Sequence, residues 1–332
     1  MGVTVKDVAR VAGVSTATVS RALRGFETVD PAIRDHVLAV AQRLDYIGSP
    51  AAAALSTGRT GSIGIITPFV NRLSFQRMLT GIERELRDTG IDFLIYCTGD
   101  PSDPHPVPPH QRLARRVDGF LVLSLSAESP DLEKILQLRM PVTMFGSNGP
   151  WTSSVLIDDR GGAADATEHL LSLGHRRIGV IYGRDAQNAA VLEHDRHLGV
   201  SNAMARSGLG LDPRLLVPGE YTIAGGARAM AQLLDEPEPP TAVFAFSDEM
   251  AYGALHTMRA RGVTPGRDVA IIGYDDHEMS RLLELSTISV PFETIGATAA
   301  RELLDDIASP RVHPRSTRLD TQLIVRNSTV PA

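Results

Sequence analysis

Between Ser15 and Arg21 the sequence STATVSR places four hydroxyls and one guanidinium within seven residues, with no acid among them. Ser15, Thr16, Thr18 and Ser20 can each donate or accept a hydrogen bond, and Arg21 offers a forked donor. Side chains of this kind suit phosphate oxygens and the acceptor edges of bases. Presenting them together requires a helix, and the flanking residues supply one. Thr4 and Asp7 stand at the N-cap and third helical positions of a capping box, and Val5, Val8, Ala9 and Ala12 recur at helical spacing. Gly13 stops that helix, because a residue without a Cβ takes the left-handed conformation a sharp stop needs. Ser15 caps a second helix, which Val19 and Leu23 hold against the first and Gly25 closes. Two short helices and a tight turn suit the major groove of DNA, with the first turn of the second helix at base edges.

A third helix is expected from Asp30, as cap, and Pro31. Ile33, Val37, Val40, Ala41 and Leu44 form its buried face. After a break at Tyr46–Ser49, the stretch PAAAAL from Pro50 to Leu55 reads as a brief alanine-rich helix stopped by Gly58. So short a helix is marginal in water unless something packs on it.

The chain has 332 residues and a net charge of −6, unevenly spread. Residues 1–60 carry seven Lys or Arg against five Asp or Glu, a balance of +2, which leaves −8 for the remainder. A polyanion is therefore drawn to the amino-terminal part and repelled by the rest. No apolar run spans a membrane and no signal core opens the chain, so a cytoplasmic protein is expected. The single cysteine, Cys97, fits a reducing compartment.

From Ser62 onward short apolar runs alternate with amphipathic segments. SIGIIT, IDFLIY, GFLVLS and PVTMF read as buried strands, and VLI, RIGVIY, AVFAF and VAIIGY form a second series. Helices are expected at Phe75–Arg87, after Pro109, and at Leu132–Leu138. In the second series they are expected near Ala163–Leu173, Arg196–Arg206, Ala227–Leu234 and Met250–Arg261. Two β/α series predict two parallel-sheet subdomains, with ligand bound at the carboxyl ends of strands in the cleft between them. The fold class is thus an all-α helix-turn-helix headpiece plus an α/β core of two parallel-sheet subdomains.

TVKDVARVAGVSTATVSRAL at residues 4–23 resembles the LacI/GalR family of bacterial transcription regulators. VDGFLVLS (117–124), GHRRIGVI (174–181), FSDEMAYGAL (246–255) and GYDD (273–276) extend the likeness over nearly the whole chain. The resemblance implies a DNA-binding domain at 1–47, a hinge helix at 48–60 and an effector-binding, dimerising core at 61–332, like periplasmic sugar-binding proteins. Its subdomains are expected at about 61–158 plus 290–318 and about 159–289 plus 319–330. It implies a homodimer on a pseudo-palindromic operator, acting as a repressor under the control of a small molecule, a sugar being favoured. In the family pattern Thr16, Ala17 and Arg21 read bases, with a phosphate contact the alternative for Arg21. Ser15, Thr18 and Ser20 hold phosphates, and Thr4, the cap of the first helix, counts among the DNA contacts. Leu55 matches the leucine that wedges into the minor groove, or else anchors a linker. Arg196, Asp248 and Asp275 match effector contacts, although either acid can instead cap a helix. Phe75 is a candidate apolar wall, and Trp151 either stacks on a sugar or packs between subdomains. Where many relatives have an acid after PVTMF, this chain has Gly146, Ser147 and Asn148, and near the hinge Gly48, Ser49, Ala52 and Ala53 depart from the usual pattern.

No dinucleotide fingerprint, P-loop, zincin helix or nucleophile elbow occurs. No enzyme, cofactor or metal is expected. A transport-system sugar-binding protein would share the core, but would need an export signal and lack residues 4–23. The ending RNSTVPA carries no apolar heptads, which favours a dimer over a tetramer.

Overall fold

The computed structural model describes residues 3–330 except 24, 27, 47–57, 101–102, 105–109, 126–128, 148, 150, 184–189 and 310–313. Its contacts divide the chain into two units, residues 1–61 and 62–332.

In the first unit α1 (Val5–Ala12), α2 (Thr16–Leu23) and α3 (Pro31–Arg43) enclose a small core of Val8, Val19, Ala22, Val37 and Val40. Asp7 accepts the Thr4 backbone N–H at 3.0 Å, and Gly13 takes φ 68° where α1 stops. The Asp30 carboxylate accepts the N–H groups of Ala32 and Ile33 at the start of α3. One expectation is corrected: Ile33 is 41% exposed and stands outside the core. It lies in the first turn of α3, beside its cap, while Val37, Val40 and Ala41 carry the buried face one and two turns on. The helix expected over 50–55 falls outside the described residues.

The second unit holds two six-stranded sheets. The first is built from β1 (Ser62–Thr67), β2 (Asp92–Cys97), β5 (Phe120–Leu123), β6 (Val142–Phe145), β7 (Ser153–Ile157) and β13 (Ser316–Leu319), in the order β13-β7-β6-β5-β1-β2 and wholly parallel. A two-residue ribbon, β3 (Gly99–Asp100) with β4 (Asp103–Pro104), follows β2. The second sheet is built from β8 (Ile178–Tyr182), β9 (Leu216–Pro218), β10 (Ala242–Ala245), β11 (Ala270–Asp275), β12 (Ser286–Ser289) and β14 (Gln322–Ile324). Its order is β14-β12-β11-β10-β8-β9, with only β14 antiparallel. Continuous burial of β1, β5, β6 and β10 is what parallel strands covered on both faces require.

Helices α4 (Leu73–Leu86), α5 (His110–Leu113) and α6 (Pro130–Leu136) serve the first sheet. Then α7 (Asp159–Ser172), α8 (Ala190–Arg206), α9 (Ile223–Leu234), α10 (Asp248–Ala260) and the short α11 (Glu278–Leu282) serve the second. The 17-residue α12 (Phe292–Ala308) returns to the first sheet and packs on α4. Their backbones approach so closely that a Cβ on Gly296 would lie 2.0 Å from the Met78 carbonyl oxygen, and one on Gly81 1.9 Å from that of Glu293. The expected helix list omits α12, because its Gly, Ala and Thr content dilutes the apolar stripe that marks a helix. The strands β9, β12, β13 and β14 are absent from the expected series as well. β12 reads STIS and is buried with its hydroxyls bonded, whereas β13 (STRL) and β14 (QLI) are partly exposed edge strands without an apolar run.

Candidate nucleic-acid interface and ligand cleft

Helix α2 is two-sided. Val19 and Ala22 are buried against α1 and α3, while Thr16, Ala17 and Arg21 are exposed and Thr18 and Ser20 half-buried. Ser15 Oγ accepts the Thr18 backbone N–H at 3.0 Å and lies 2.8 Å from Thr18 Oγ1, so it caps α2 and fixes the first turn. Thr4 is similarly engaged, its hydroxyl donating to the Asp7 carboxylate at 2.7 Å. The exposed side of α2 carries no acid. A helix amino end with hydroxyls and a guanidinium on its outer side suits phosphates and base edges. Leu55 lies outside the described residues.

In the core, a cleft opens at the carboxyl ends of both sheets. Its charged groups are Arg72, Arg196, Glu249 and Asp275, and its apolar walls are Phe69, Phe145, Tyr221 and Phe292. Most stand at or just beyond the last residue of a strand, as the geometry of open parallel sheets dictates.

Arg196, on α8, is the most constrained. Its Nε donates to Asp159 Oδ1 at 2.7 Å, its Nη1 donates to the Phe246 carbonyl, and its guanidinium lies 3.8 Å from the centre of the Tyr274 ring. Burial by itself pulls the guanidinium pKa down, but Asp159 and the surrounding acids outweigh it and drive it far up. The charge is therefore permanent, and the edge not used by Asp159 or Phe246 lines the cleft. Asp275 ends β11 with φ 122° and has Asp276 beside it at φ 50°. Its carboxylate accepts no hydrogen bond from the described residues. Burial raises its pKa well above the ordinary range against the pull of Arg196. Ser124, Glu220 and Tyr221 also hold positive φ at the cleft. Such strained residues persist only where surrounding structure holds them, and they gather at ligand clamps.

Asp248 differs. It is 1% exposed, does not line the cleft, and accepts from His277 N at 2.9 Å, Ser280 Oγ at 2.5 Å and Thr287 Oγ1 at 2.7 Å. Burial pushes its pKa up to about 6 against these three bonds. It opens α10 as the first helical residue; the cap is Ser247, whose Oγ accepts Met250 N–H. The structure thus brings Arg196 and Asp275 together in the cleft and turns Asp248 inward to tie α10 to the loop after β11.

Two other candidates also stand apart. Phe75 is buried in the core beneath α4, one helical step from the cleft-lining Ser74. Trp151 is 87% exposed. The register pairing Thr143 with Ser153 puts it at the amino end of β7, whereas the cleft lies at carboxyl ends. Ser147 is buried and donates to the Leu125 carbonyl, and Asn148 lies outside the described residues. Tyr221, Ser247, Glu249 and Phe292, absent from the candidate set, line the cleft. The signal for Ser247 was present: it follows the strand AVFAF by one residue.

Arg72 reaches across the cleft. Leaving the loop after β1, it donates to the Glu220 carbonyl at 3.1 Å and packs against the Phe69 and Tyr221 rings at 5.0 and 5.9 Å. Arg77 on α4 donates to the Asp275 and Asp276 carbonyls. Both sheets are thereby tied at the Asp275 loop and beside β9. Among the described residues no group of three or more His, Cys, Asp or Glu could hold a metal ion, and no helix is long and apolar enough to cross a membrane.

A profile described as bacterial regulatory proteins of the lacI family matches residues 4–49, and one described as a periplasmic binding protein-like domain matches residues 167–329. The chain is 34% identical over 331 residues to the HTH-type transcriptional repressor CytR of Escherichia coli strain K12, covering 98% of this chain and 96% of that one. Among solved structures, a complex of the transcriptional regulator CelR with cellobiose matches with TM-score 0.71 and 31% identity, covering 98% of this chain and 99% of that one. The lac repressor dimer bound to operator and an anti-inducer matches with TM-score 0.85 and 25% identity, covering 99% and 100%.

Proposed function

The chain belongs to the LacI family of bacterial regulatory proteins, and on that premise we propose that it is a cytoplasmic homodimeric repressor released from or held on its operator by a sugar. Its role as a sequence-specific DNA-binding transcription regulator follows from the family. Arg21, Thr16 and Ala17 are assigned to base edges, with Ser15, Thr18 and Ser20 near phosphates.

One observation carries the effector reading. The Asp275 carboxylate stands in a cleft beside a permanently charged Arg196, without a hydrogen-bond donor among the described residues, between aromatic walls. A buried carboxylate is costly until a donor meets it. Hydroxyls of a mono- or disaccharide can donate to Asp275 and accept from Arg196, while the sugar's apolar face lies on Tyr221 or Phe292. CelR, a relative of similar fold, is known in complex with cellobiose.

The dimer reading has support of its own. Ile223, Met279 and Leu282 are 52%, 41% and 75% exposed. Both segments flank α10, Gly253 lying against the Ile223 carbonyl and Tyr252 hydrogen-bonding Ser280. Sugar binding that favours one arrangement of the two sheets over another shifts operator affinity by the same coupling free energy.

The test has two arms. Enrichment of bound fragments from random duplexes should return an inverted repeat, and a thermal-shift panel of mono- and disaccharides should contain at least one that raises the melting temperature and changes affinity for that repeat. Enrichment without symmetry would overturn the DNA reading. A panel without a hit, followed by one with nucleosides or amino acids that succeeds, would replace the sugar.

A further inference from the structure

The core has an electrostatic island that neither the cleft nor the recognition helix uses. Arg112, Arg115 and Arg116 are exposed and, with Leu113, line a concavity. Leu113 is fully buried and pins the segment to the first sheet's second core cluster. Arg139 is exposed on the turn two residues before Pro141, whose carbonyl accepts the Phe120 N–H. None of these four arginines has an ion pair among the described residues. On neighbouring faces the arginines are neutralised: Arg84 by Glu293, Arg87 by Glu83 and Arg301 by Glu85.

The location is specific. Asp118 N–H donates to the Ser62 carbonyl at 2.7 Å, and Arg116 N–H to the Leu113 carbonyl at 2.8 Å. The arginines therefore flank the amino ends of β1 and β5, opposite the cleft. Ser62 is also where the core joins the DNA-binding unit along the chain. The core as a whole is acidic, residues 61–332 carrying a net −8 on the whole-chain total of −6. A body of that charge is repelled by a nearby duplex unless its facing surface is cationic.

We propose that Arg112, Arg115, Arg116 and Arg139 form a second, sequence-independent contact surface for duplex DNA, gripping phosphates that flank the operator. The surface rests on the reading of this protein as an operator-binding dimer. It adds affinity and salt dependence without base readout, because guanidinium–phosphate contacts release counterions and carry no sequence information.

The test uses the full-length protein and two duplexes centred on the enriched inverted repeat, one of about 20 base pairs and one of about 45. Each phosphate contact contributes about 0.9 to the slope of log K against log salt. The triple variant R112Q/R115Q/R116Q should bind the long duplex about tenfold more weakly at 0.1 M salt, with a slope shallower by about 2 or more, and leave the short duplex unchanged. The variant R112K/R115K/R116K, which keeps the charge, should retain most of the long-duplex affinity. Equal affinity of the glutamine variant and wild type on both duplexes overturns the proposal, as does an equal loss on both. Dissociation of the glutamine variant into monomers in sedimentation would also overturn it, making the face a contact between copies of this chain. Wild type failing to bind either duplex would instead sink the operator reading itself.

Discussion

The recognition helix and the core cleft both offer polar groups to a partner, but they store those groups differently. On α2 Thr16 and Arg21 are exposed to water, cost little to hold there, and act by position. Around the cleft Arg196 is buried and Asp275 and Glu249 are half-buried, so their charges need partners. Arg196 is held by Asp159 and Phe246, Asp248 behind the cleft is held by three donors, and the Asp275 carboxylate has no donor among the described residues. Substitutions in the cleft should therefore disturb folding and binding together, while those on α2 should change binding with little effect on the fold.

The largest break in that contrast is Arg196→Ala. It strands Asp159, 2% exposed, without its ion-pair partner. Removing one member of a buried pair costs about 3–5 kcal/mol. Urea unfolding should show that loss, together with loss of any sugar response. A variant as stable as wild type would mean that Asp159 takes up a proton at no cost or finds another donor.

Asp275→Asn isolates binding from stability. The carboxylate has no hydrogen bond to lose among the described residues, and its raised pKa marks a desolvation that Arg196 only partly offsets. Unfolding free energy should stay level or rise, while affinity for the sugar found in the panel should fall by about 1.5–3 kcal/mol, the usual worth of a hydrogen bond to a charged group. Calorimetric titration reads the binding half. Unchanged affinity would move the polar anchor to Glu249, the other acid in the cleft.

Asp248→Asn sharpens the comparison within the cleft's own support. The folded-state pKa of about 6 lies above the ordinary 3.8, so the native protein keeps a proton that the unfolded chain releases. Stability therefore declines as pH rises through about 4 to 6, and is fully restored only below that window. The asparagine cannot ionise and should remove a share of the decline on the order of 1–2 kcal/mol. Asp275, shifted the same way, should keep the remainder. Unfolding midpoints at pH 4.5 and 6.5 for both proteins decide it; parallel pH profiles would mean that Asp248 is ionised at no cost.

The same contrast explains what could be read in advance. The headpiece was legible because its determinants are local: caps at Thr4, Ser15 and Asp30, the stop at Gly13 and the Val8–Val19 core lie within a few turns of one another. Ile33 misled because helical spacing does not say which turn another element covers. The two-sheet core was legible from the apolar runs, although VLI, read with the second series, is β7 of the first sheet, and α12 was not, since its burial depends on a backbone contact with α4 made possible by Gly81 and Gly296. The cleft was half legible. Arg196 and Asp275 were found, whereas Tyr221 and Phe292 lie far from them in sequence and meet them only when both sheets form. Asp248 shows the limit most clearly. An acid just past a strand looks the same in sequence whether it faces the cleft or turns inward toward Ser280 and Thr287.

The smallest expected effect separates two roles on α2. Ser15 Oγ accepts the Thr18 N–H, and loss of such a cap costs about 1 kcal/mol, within a range of 0.5–2. Ser15→Ala should therefore speed hydrogen exchange of the amides in residues 16–23 by about fivefold, without touching exchange in the core. If Ser15 acts only as a cap, operator affinity falls slightly and its salt slope is unchanged, because no phosphate contact has been removed. If Ser15 also holds a phosphate, the slope becomes shallower by about 0.9 per protomer. Normal exchange combined with a shallower slope would reverse the assignment, leaving Thr18 to start the helix and Ser15 to serve DNA alone.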